Sequence, residues 1–311
     1  EMFHDPDGVE QRLHHCLLCG ACEAGCPRQV SVMEIFLTAR SIITTYQGLS
    51  PVKKFFFRQI MAHPNSFDRF MAWSAKVQHL FIKPFVKADA SCSQLVSPIL
   101  SNRHLVAIAP VAFHQMGFHS GKTSPRTGPK VAFFVGCLLD KLFPETAKTI
   151  IEVLAYHGAS VIIPKNQGCC GIPMLAAGDR ESFNQLVAHH MKIFGAEDFD
   201  FLVTGCATCT ATIKKIWPSM AEIKSIAGKE ALSQLAEKTY DISEFLVNMI
   251  GVSHSHNPQN AAISKRNVTY HDPCHLRKTL KIYKEPRVLI RANSKYQFRE
   301  MAEPDVCCGM G

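Results

Sequence analysis

Apolar and polar positions along residues 130–217 alternate in a way that predicts strands and helices in turn. Short apolar runs such as KVAFFVGC are typical of buried strands, and segments with apolar residues at helical spacing separate them. Strands that alternate with helices indicate a parallel, doubly wound sheet with right-handed crossovers, so the predicted fold class is α/β. The predicted strands are 130–137, 159–165 and 199–206, and the predicted helices are 145–158, 177–196 and about 208–217.

A second copy of the same pattern begins at residue 266. It comprises a predicted strand at 266–274, a helix at 285–294 and a strand at 296–303. Its cysteines repeat those of the first copy, because 31 residues separate Cys137 from Cys169 and 32 separate Cys274 from Cys307. On this pattern we expect a third strand and a C-x2-C pair beyond residue 311. We therefore expect the chain to be truncated at both ends.

Polar stretches between these patterns predict the domain organisation. Gly-, Ser-, Pro- and Lys-rich residues at 119–130, and a polar stretch at 253–265, are predicted linkers. The predicted units are a cysteine-rich N-terminal domain at 1–50, a helical basic connector at 51–118, a first α/β domain at 130–252 and the start of a second at 266–311.

The connector contains a basic, aromatic segment at 52–87 whose apolar residues follow helical spacing. Arg69, Lys76 and Lys83 form an opposed stripe seven residues apart. Such a helix can cover a protein core, lie on an anionic membrane surface or dock an acidic partner, and these alternatives stay open. A nucleic-acid partner is not expected, because no binding motif accompanies a net charge of +8 spread over 311 residues.

Thirteen cysteines at short spacings are more typical of metal sites than of a secreted disulfide framework. The sequence shows no signal peptide and no run near the roughly 20 apolar residues of a membrane span. We therefore expect a cytoplasmic protein, or one bound peripherally to the cytoplasmic face of a membrane.

The N-terminal cysteines follow the C-x2-C-x2-C-x3-C-P pattern of bacterial ferredoxins, in the sequence CLLCGACEAGCP. Thiolates at this spacing hold a [4Fe–4S] cluster, and the fourth cysteine normally ligates a different cluster. Since only one such run is present, we expect one further ligand from upstream sequence. A structural zinc site is the alternative. The cysteines are Cys16, Cys19, Cys22 and Cys26.

Five further cysteines follow the three strands predicted in the first α/β domain. Loops at the carboxyl ends of parallel strands converge on one crevice, so we expect these five thiols to meet. The glycines beside them allow close approach of the backbone to inorganic sulfur. The five are Cys137, Cys169, Cys170, Cys206 and Cys209, and the corresponding residues of the second copy are Cys274, Cys307 and Cys308.

Two histidines flank Cys274, and one cysteine belongs to no motif. His271 and His275 are each a possible ligand, a hydrogen-bond donor around the site or a simple polar loop residue. Cys92 stands alone and is interpreted as an inert thiol.

The motifs together resemble a known family. The phrases GCCGIPMLAAGD, GCATCTATIKK, YHDPCHLRKTLKIYKEPR and CCGMG are similar to the CCG domains of heterodisulfide reductase and its relatives. One ferredoxin-type run followed by two CCG domains most resembles the iron–sulfur subunits of glycolate oxidase and D-lactate dehydrogenase. The resemblance implies two tandem Rossmann-like CCG domains, the second truncated, after a helical ferredoxin-type domain.

The resemblance also implies cofactors. In the heterodisulfide reductase relatives a five-cysteine set carries a non-cubane cluster, so Cys137, Cys169, Cys170, Cys206 and Cys209 are its implied ligands here. An ordinary [4Fe–4S] cluster with one spare thiol is the alternative. Three ligands of a second site are implied at Cys274, Cys307 and Cys308.

The implied function is electron transfer from a partner flavoprotein, which oxidises a 2-hydroxy acid such as lactate or glycolate, to a quinone or another carrier. The chain has neither a dinucleotide fingerprint nor a P-loop, which places substrate oxidation on a partner. The alternatives are a catalytic disulfide or heterodisulfide reductase and a zinc-stabilised scaffold.

Overall fold

The computed structural model describes residues 6–81, 83–84, 95–97, 103–118, 128–253 and 266–308. Cys92, most of both predicted linkers and the last three residues lie outside these ranges.

The N-terminal part of the chain is helical. Its longest early helix, α3, turns Met33, Leu37 and Ile43 toward the protein interior at helical spacing. Helix α4 begins with Pro51 and is capped by Ser50, whose hydroxyl oxygen accepts a hydrogen bond from the Lys53 amide. The helices are α1 (Pro6–His14), α2 (Ala21–Ala24), α3 (Val32–Gln47), α4 (Pro51–Phe55), a π-helical turn (Phe56–Met61) and α5 (Pro64–Phe81).

Helix α5 carries the predicted amphipathic pattern. Phe67 is buried in the core and Met71 packs at its edge, whereas Arg69 and Lys76 are exposed. The apolar face therefore packs against protein, as the interpretation of a helix that covers the core predicts. The side chains of Phe81 and of the residues up to 105 lie outside the described set.

The connector is not wholly helical, which corrects the prediction for 51–118. It contains a small antiparallel sheet in the order β1-β2-β3 and a 3₁₀ turn. Strands of two or three residues are too short to show a period-two pattern, so no sequence pattern predicts them. The elements are β1 (Lys83–Pro84), β2 (Leu95–Ser97), β3 (Arg103–Leu105) and the turn Phe113–Gln115.

The central sheet is parallel and has four strands in the order β5-β4-β6-β7. The three predicted strands are present, each shorter than predicted, with β4 in the middle. The elements of this region are β4 (Lys130–Phe134), α6 (Gly136–Lys141), α7 (Pro144–Tyr156), β5 (Ser160–Ile162), α8 (Ile172–Ala176), α9 (Arg180–Gly195), β6 (Phe201–Thr204), α10 (Ala207–Ala211), a π-helical turn (Thr212–Ile216), α11 (Trp217–Met220), α12 (Ile226–Glu237), β7 (Thr239–Asp241), α13 (Ile242–Glu244) and a π-helical turn (Phe245–Met249).

The sheet separates two hydrophobic cores because successive side chains of a strand point to opposite faces. Val131 and Phe133 of β4 lie in the core that is covered by α7. Ala132 and Phe134 lie in the core that contains α9 and also Leu37 of α3. The N-terminal helices therefore pack on the α9 side of the sheet.

The region after residue 266 contains a two-stranded parallel sheet and one intervening helix. Both strands end before the predicted boundaries, whereas the helix lies within two residues of its predicted position. The elements are β8 (Arg266–Val268), a π-helical turn (His275–Thr279), α14 (Lys284–Ala292) and β9 (Tyr296–Phe298). Among the described helices, none is long and apolar enough to cross a bilayer.

Candidate iron–sulfur centres

Five cysteines lie at the carboxyl ends of three neighbouring strands. Cys137 is the second residue of α6, directly after β4. Cys169 and Cys170 lie in the loop between β5 and α8, and Cys206 caps α10 after β6. Because β5, β4 and β6 are adjacent in the sheet, their loops share one edge.

These loops bring all five thiols into an unbroken run of contacts. The Sγ atoms of Cys137 and Cys169 are 3.6 Å apart. Cys169 then contacts Cys170, Cys170 contacts Cys209, and Cys209 contacts Cys206 through side-chain hydrogen bonds. The expected convergence is therefore observed, while the role of these residues as ligands stays a prediction.

The thiols perturb one another strongly. The hydrogen bond with Cys137, a second one with Cys170, and burial all raise the pKa of Cys169. Hydrogen bonds from Cys169 and Cys209 and from the Ile172 amide lower the pKa of Cys170 against the opposing effect of burial. A buried set in which some thiols give up protons and others retain them is suited to a cation that neutralises thiolates.

Backbone amides point at several of the sulfurs. The thiol of Cys209 and the nearby amides of Cys209 and Thr208 lower the pKa of Cys206 against the effect of burial, although its side chain forms no helix-capping hydrogen bond. Cys206 stands at the amino end of α10, where the helix dipole also favours negative charge. These N–H···S contacts are of the kind that tune iron–sulfur ligands.

The glycines beside the cysteines have different roles. Gly136 has a φ of +67°, and a Cβ atom there would lie 3.1 Å from the Sγ of Cys209, so this glycine keeps the crevice open. Gly205, in contrast, faces Ile150, which a Cβ would approach to 2.3 Å, and Gly168 faces Pro64. The prediction that all these glycines make room for inorganic sulfur is therefore corrected, since packing explains the last two.

Two residues that the sequence did not indicate support the GCCG loop. His190 is fully buried, and its Nε2 accepts a hydrogen bond from the Gly168 amide at 3.2 Å while Nδ1 donates to the Leu186 carbonyl at 2.8 Å. Desolvation lowers the pKa of His190 to about 4, so the ring is neutral. The indole of Trp217 donates to the Cys170 carbonyl at 2.9 Å.

The N-terminal cysteine loop is held by an arginine. The guanidinium of Arg40 donates to the carbonyls of Leu13 at 2.5 Å and Cys16 at 2.6 Å, and to that of Ala176 at 2.9 Å. Since Ala176 ends α8, which follows the GCCG loop, Arg40 joins the two cysteine regions. No motif pointed to Arg40, because its role depends on carbonyls distant in sequence.

The four N-terminal cysteines are more exposed than the five of the sheet edge. Cys22 is exposed, and the other three are partly buried. The amide of Leu18 donates to the Sγ of Cys16 at 3.4 Å, and Gly20 adopts a left-handed conformation before α2.

Cys274 lies close to the N-terminal loop as well as to the terminal cysteine pair. Desolvation raises the pKa of Cys274, and the nearby thiols of Cys307, Cys19 and Cys308 raise it further, while Lys278 opposes them. The structure thus brings together three predicted ligands of the second site with one of the N-terminal site. Cys307 and Cys308 are exposed.

His275 connects the N-terminal loop to the five-cysteine site. Its Nε2 bonds the Leu18 carbonyl at 2.9 Å, and its Nδ1 bonds the Thr208 hydroxyl at 2.9 Å. The Leu18 amide donates to the Sγ of Cys16, and Thr208 follows Cys206 by two residues, so hydrogen bonds and a short stretch of backbone connect two predicted ligands. We call this connection the His275 bridge. Both ring nitrogens of His275 have partners, which favours its role as a hydrogen-bonding residue around the site.

A buried ion-pair group holds the segment that carries Cys274. The carboxylate of Asp272 is fully buried and accepts hydrogen bonds from Arg287 at 2.7 Å and Arg277 at 2.5 Å. Arg287 also pairs with Glu300 at 2.6 Å. Although burial opposes them, these arginines lower the pKa of Asp272.

We expect Arg287→Leu to lower the free energy of unfolding by about 2–3 kcal/mol, because Asp272 would stay buried with one arginine instead of two. Chemical denaturation followed by circular dichroism measures this change. The matched control is Arg299→Leu, which replaces an exposed arginine and should alter stability little. Equal stability of both variants would contradict the assignment.

Comparison with known proteins gives consistent similarities. The family model for the CCG cysteine-rich domain matches residues 131–214 and 268–311. A probable glycolate oxidase iron–sulfur subunit of Bacillus subtilis is 27% identical over 99% of this chain and 69% of its own length. A lactate utilization protein A of Shouchella clausii is 31% identical over 58% of this chain and 72% of its own. An uncharacterized iron–sulfur protein of Methanococcus maripaludis is 40% identical over 58% of this chain.

The chain spans 32% of the length of the Methanococcus relative, and 69% and 72% of the two bacterial relatives. No solved structure matches it significantly.

Proposed function

This chain belongs to the family of proteins that carry the CCG cysteine-rich domain, and we propose that it binds iron–sulfur clusters and transfers electrons as a subunit of an oxidoreductase complex. The names of its relatives, an iron–sulfur subunit of glycolate oxidase and a lactate utilization protein, support this role. The whole complex would oxidise a 2-hydroxy acid on a partner flavoprotein and deliver electrons to a quinone or another carrier.

The cysteine sets fit iron–sulfur groups by their chemistry. All five thiols at the sheet edge are in one contact run, and Gly136 leaves the space beside Cys209 that a Cβ atom would fill. We propose that all five ligate one cluster, which makes a non-cubane type the preferred assignment over a cubane with a spare thiol. Five ligands also exceed the four of a structural zinc site.

The remaining cysteines belong to two further sites in this proposal. Cys16, Cys19 and Cys22 bind a ferredoxin-type [4Fe–4S] cluster, and Cys26 ligates a neighbouring one. Cys274, Cys307 and Cys308 begin the site of a second, tandem CCG domain. The proposed domains are 1–50, 51–118, 130–252 and 266–311.

The His275 bridge is the observation that carries the electron-transfer proposal. An iron–sulfur cluster bound by these thiolates takes up and releases one electron at a time. A bridge from Cys16 to Cys206 through bonded atoms provides a compact path between two such groups and fixes their separation. A scaffold without redox function would not need its two cysteine sites joined through a single side chain.

The basic segment 52–87 is a candidate surface for partner contacts. We propose that the basic segment 52–87 can touch an anionic membrane surface or an acidic subunit, since Arg69 and Lys76 are exposed on α5. The apolar face of that helix is already used for packing, so such contact would be peripheral.

Iron and acid-labile sulfide counts with EPR on the full-length protein test the proposal. We expect a brown protein whose absorbance near 400 nm bleaches with dithionite, with EPR signals from more than one cluster. A colourless protein that contains zinc and no iron would overturn it. Release of thiols from an added heterodisulfide by the reduced protein would instead support the alternative of a disulfide reductase.

A further inference from the structure

A pocket opens beside the five-cysteine site. It lies between α5, the turn at Phe113–Gln115, α6 and the loop after β5, and it encloses about 140 Å³ and is partly open to solvent. Cys137 and Gly168 form part of its wall, so it reaches a predicted ligand and the start of the GCCG loop.

The pocket wall is rich in aromatic and aliphatic side chains. Phe113 and Phe118 are stacked with ring centroids 5.5 Å apart and planes 6° from parallel. Phe67, Val135 and Ile163 add apolar surface. Such a wall favours a planar, uncharged ligand that can stack on a ring.

The opposite part of the pocket is a compact network of titratable groups. The Nδ1 of His114 lies 3.0 Å from both carboxylate oxygens of Asp140, and the Nζ of Lys141 lies 2.6 Å from the second of them. Lys141 also pairs with Asp68, so one ammonium lies between the two carboxylates.

Helix α6 places this network beside the thiol of Cys137. Cys137, Asp140 and Lys141 are spaced i, i+3 and i+4 in α6, which places their side chains on one face within about one turn. Electrons that leave at Cys137 and protons held by the network therefore reach the same pocket. His114, at 38% side-chain exposure, connects the network to solvent.

We propose that this pocket binds a quinone and that His114 and Lys141 supply the protons for its reduction, an inference that rests on the proposed electron-transfer function. The partner dehydrogenase would supply the two electrons, and a cluster held by the five cysteines would pass them on singly. His114, which is paired with Asp140, donates one proton, and Lys141 donates the other. The two carbonyl oxygens become hydroxyls, the quinone leaves as hydroquinone, and solvent returns the protons through His114.

An anionic acceptor fits this pocket less well. The two carboxylates of Asp68 and Asp140 line it, and the buried cation Lys141 is already paired with both. A ligand carboxylate would face these two charges, with the exposed Lys165 of the pocket wall to offset them. A neutral quinone needs only hydrogen-bond donors and an apolar wall.

The test uses menadione, a soluble naphthoquinone, with the cluster-loaded full-length protein. Equilibrium dialysis should show saturable binding, and stopped-flow reoxidation of the dithionite-reduced protein should saturate with menadione. Ile163→Trp, which fills the pocket, should raise the half-saturating concentration at least about tenfold, and a binding loss of that size corresponds to about 1.4 kcal/mol. Tyr156→Trp, at an exposed position outside the pocket, is the matched control.

His114→Asn separates proton supply from binding. The asparagine amide can still donate to Asp140, so the maximal reoxidation rate should fall about tenfold or more while menadione binding weakens less than in Ile163→Trp. Phe118→Ala, which removes the stacking ring without filling the pocket, should also weaken menadione binding. This variant replaces Ile163→Trp in the test if Ile163→Trp does not fold.

Reoxidation by ferricyanide, a one-electron oxidant that needs no proton, shows whether the quinone pocket or the proposed electron-transfer function is wrong. Rapid ferricyanide reoxidation without saturable menadione binding would refute the quinone pocket alone. Wild-type binding by a folded Ile163→Trp or Phe118→Ala variant would also refute it. A protein that dithionite does not reduce would refute the proposed function itself.

Discussion

Replacement of Cys170 by serine is expected to remove the cluster of the five-cysteine site. Cys170 is central in the run of thiols, because it contacts both Cys169 and Cys209. Serine is a poor ligand for iron, and its hydroxyl would be buried among sulfurs. We expect loss of the iron, sulfide and EPR signal of this site, with the signals of the N-terminal site retained.

Single serine variants of all five positions also decide the cluster type. If all five thiols ligate, each variant loses the signal or alters it strongly. If the site holds a cubane with one spare thiol, one of the five variants retains the wild-type signal. Cys92→Ser, outside every cysteine motif, is the matched control and should keep the full iron content.

The Cys170→Ser substitution should also lower the free energy of unfolding. A group that binds the folded chain and not the unfolded one adds its binding free energy to the stability of the fold. The cluster-free variant should therefore unfold at a lower denaturant concentration than the loaded wild type. Unchanged unfolding, together with unchanged iron, would show that Cys170 binds no cluster.

Replacement of His275 by leucine is expected to slow electron transfer between the N-terminal site and the five-cysteine site. The change removes the bonds to Leu18 and Thr208, each of 2.9 Å, from a partly buried contact. Loss of both bonds breaks the His275 bridge and loosens the contact that fixes the separation of the two sites, so we expect the transfer rate to fall about tenfold. Freeze-quench EPR after addition of one electron equivalent measures the rate.

The controls for this variant separate bridging from folding. His275→Gln retains one donor and one acceptor and should recover part of the rate. His79→Leu, at an exposed position of α5, should have no effect. Wild-type transfer in His275→Leu with full iron content would show that electrons take another path.

The central sheet could be predicted because its signals are local. Residues such as Val131 and Phe133 form continuous apolar runs, and the intervening helices show their period within one segment. Strand β7 was missed because Thr239–Asp241 has one aromatic residue between two polar ones. The buried Asp241 caps the following helix by accepting a hydrogen bond from the Ser243 amide, which no apolar pattern reveals.

The cysteine site was predictable for a topological reason. Once Cys137, Cys169 and Cys206 are placed after successive parallel strands, the edge of the sheet at which they lie is fixed. The supporting residues were not predictable in this way. Arg40 and His190 act on carbonyls or amides far away in sequence, so their partners exist only after the chain has folded.

The sequence by itself determined the α/β pattern, the two cysteine repeats and the thiol sets on which the proposed chemistry rests, because strand periodicity and thiol spacing are properties of short segments. Only the tertiary structure decided how the sites are joined. Leu18, Thr208 and His275 come from three separate regions, and hydrogen bonds among them require their approach to within 2.9 Å. The same holds for the pocket, where Asp68 and His114 meet Asp140 through packing of the connector on the sheet.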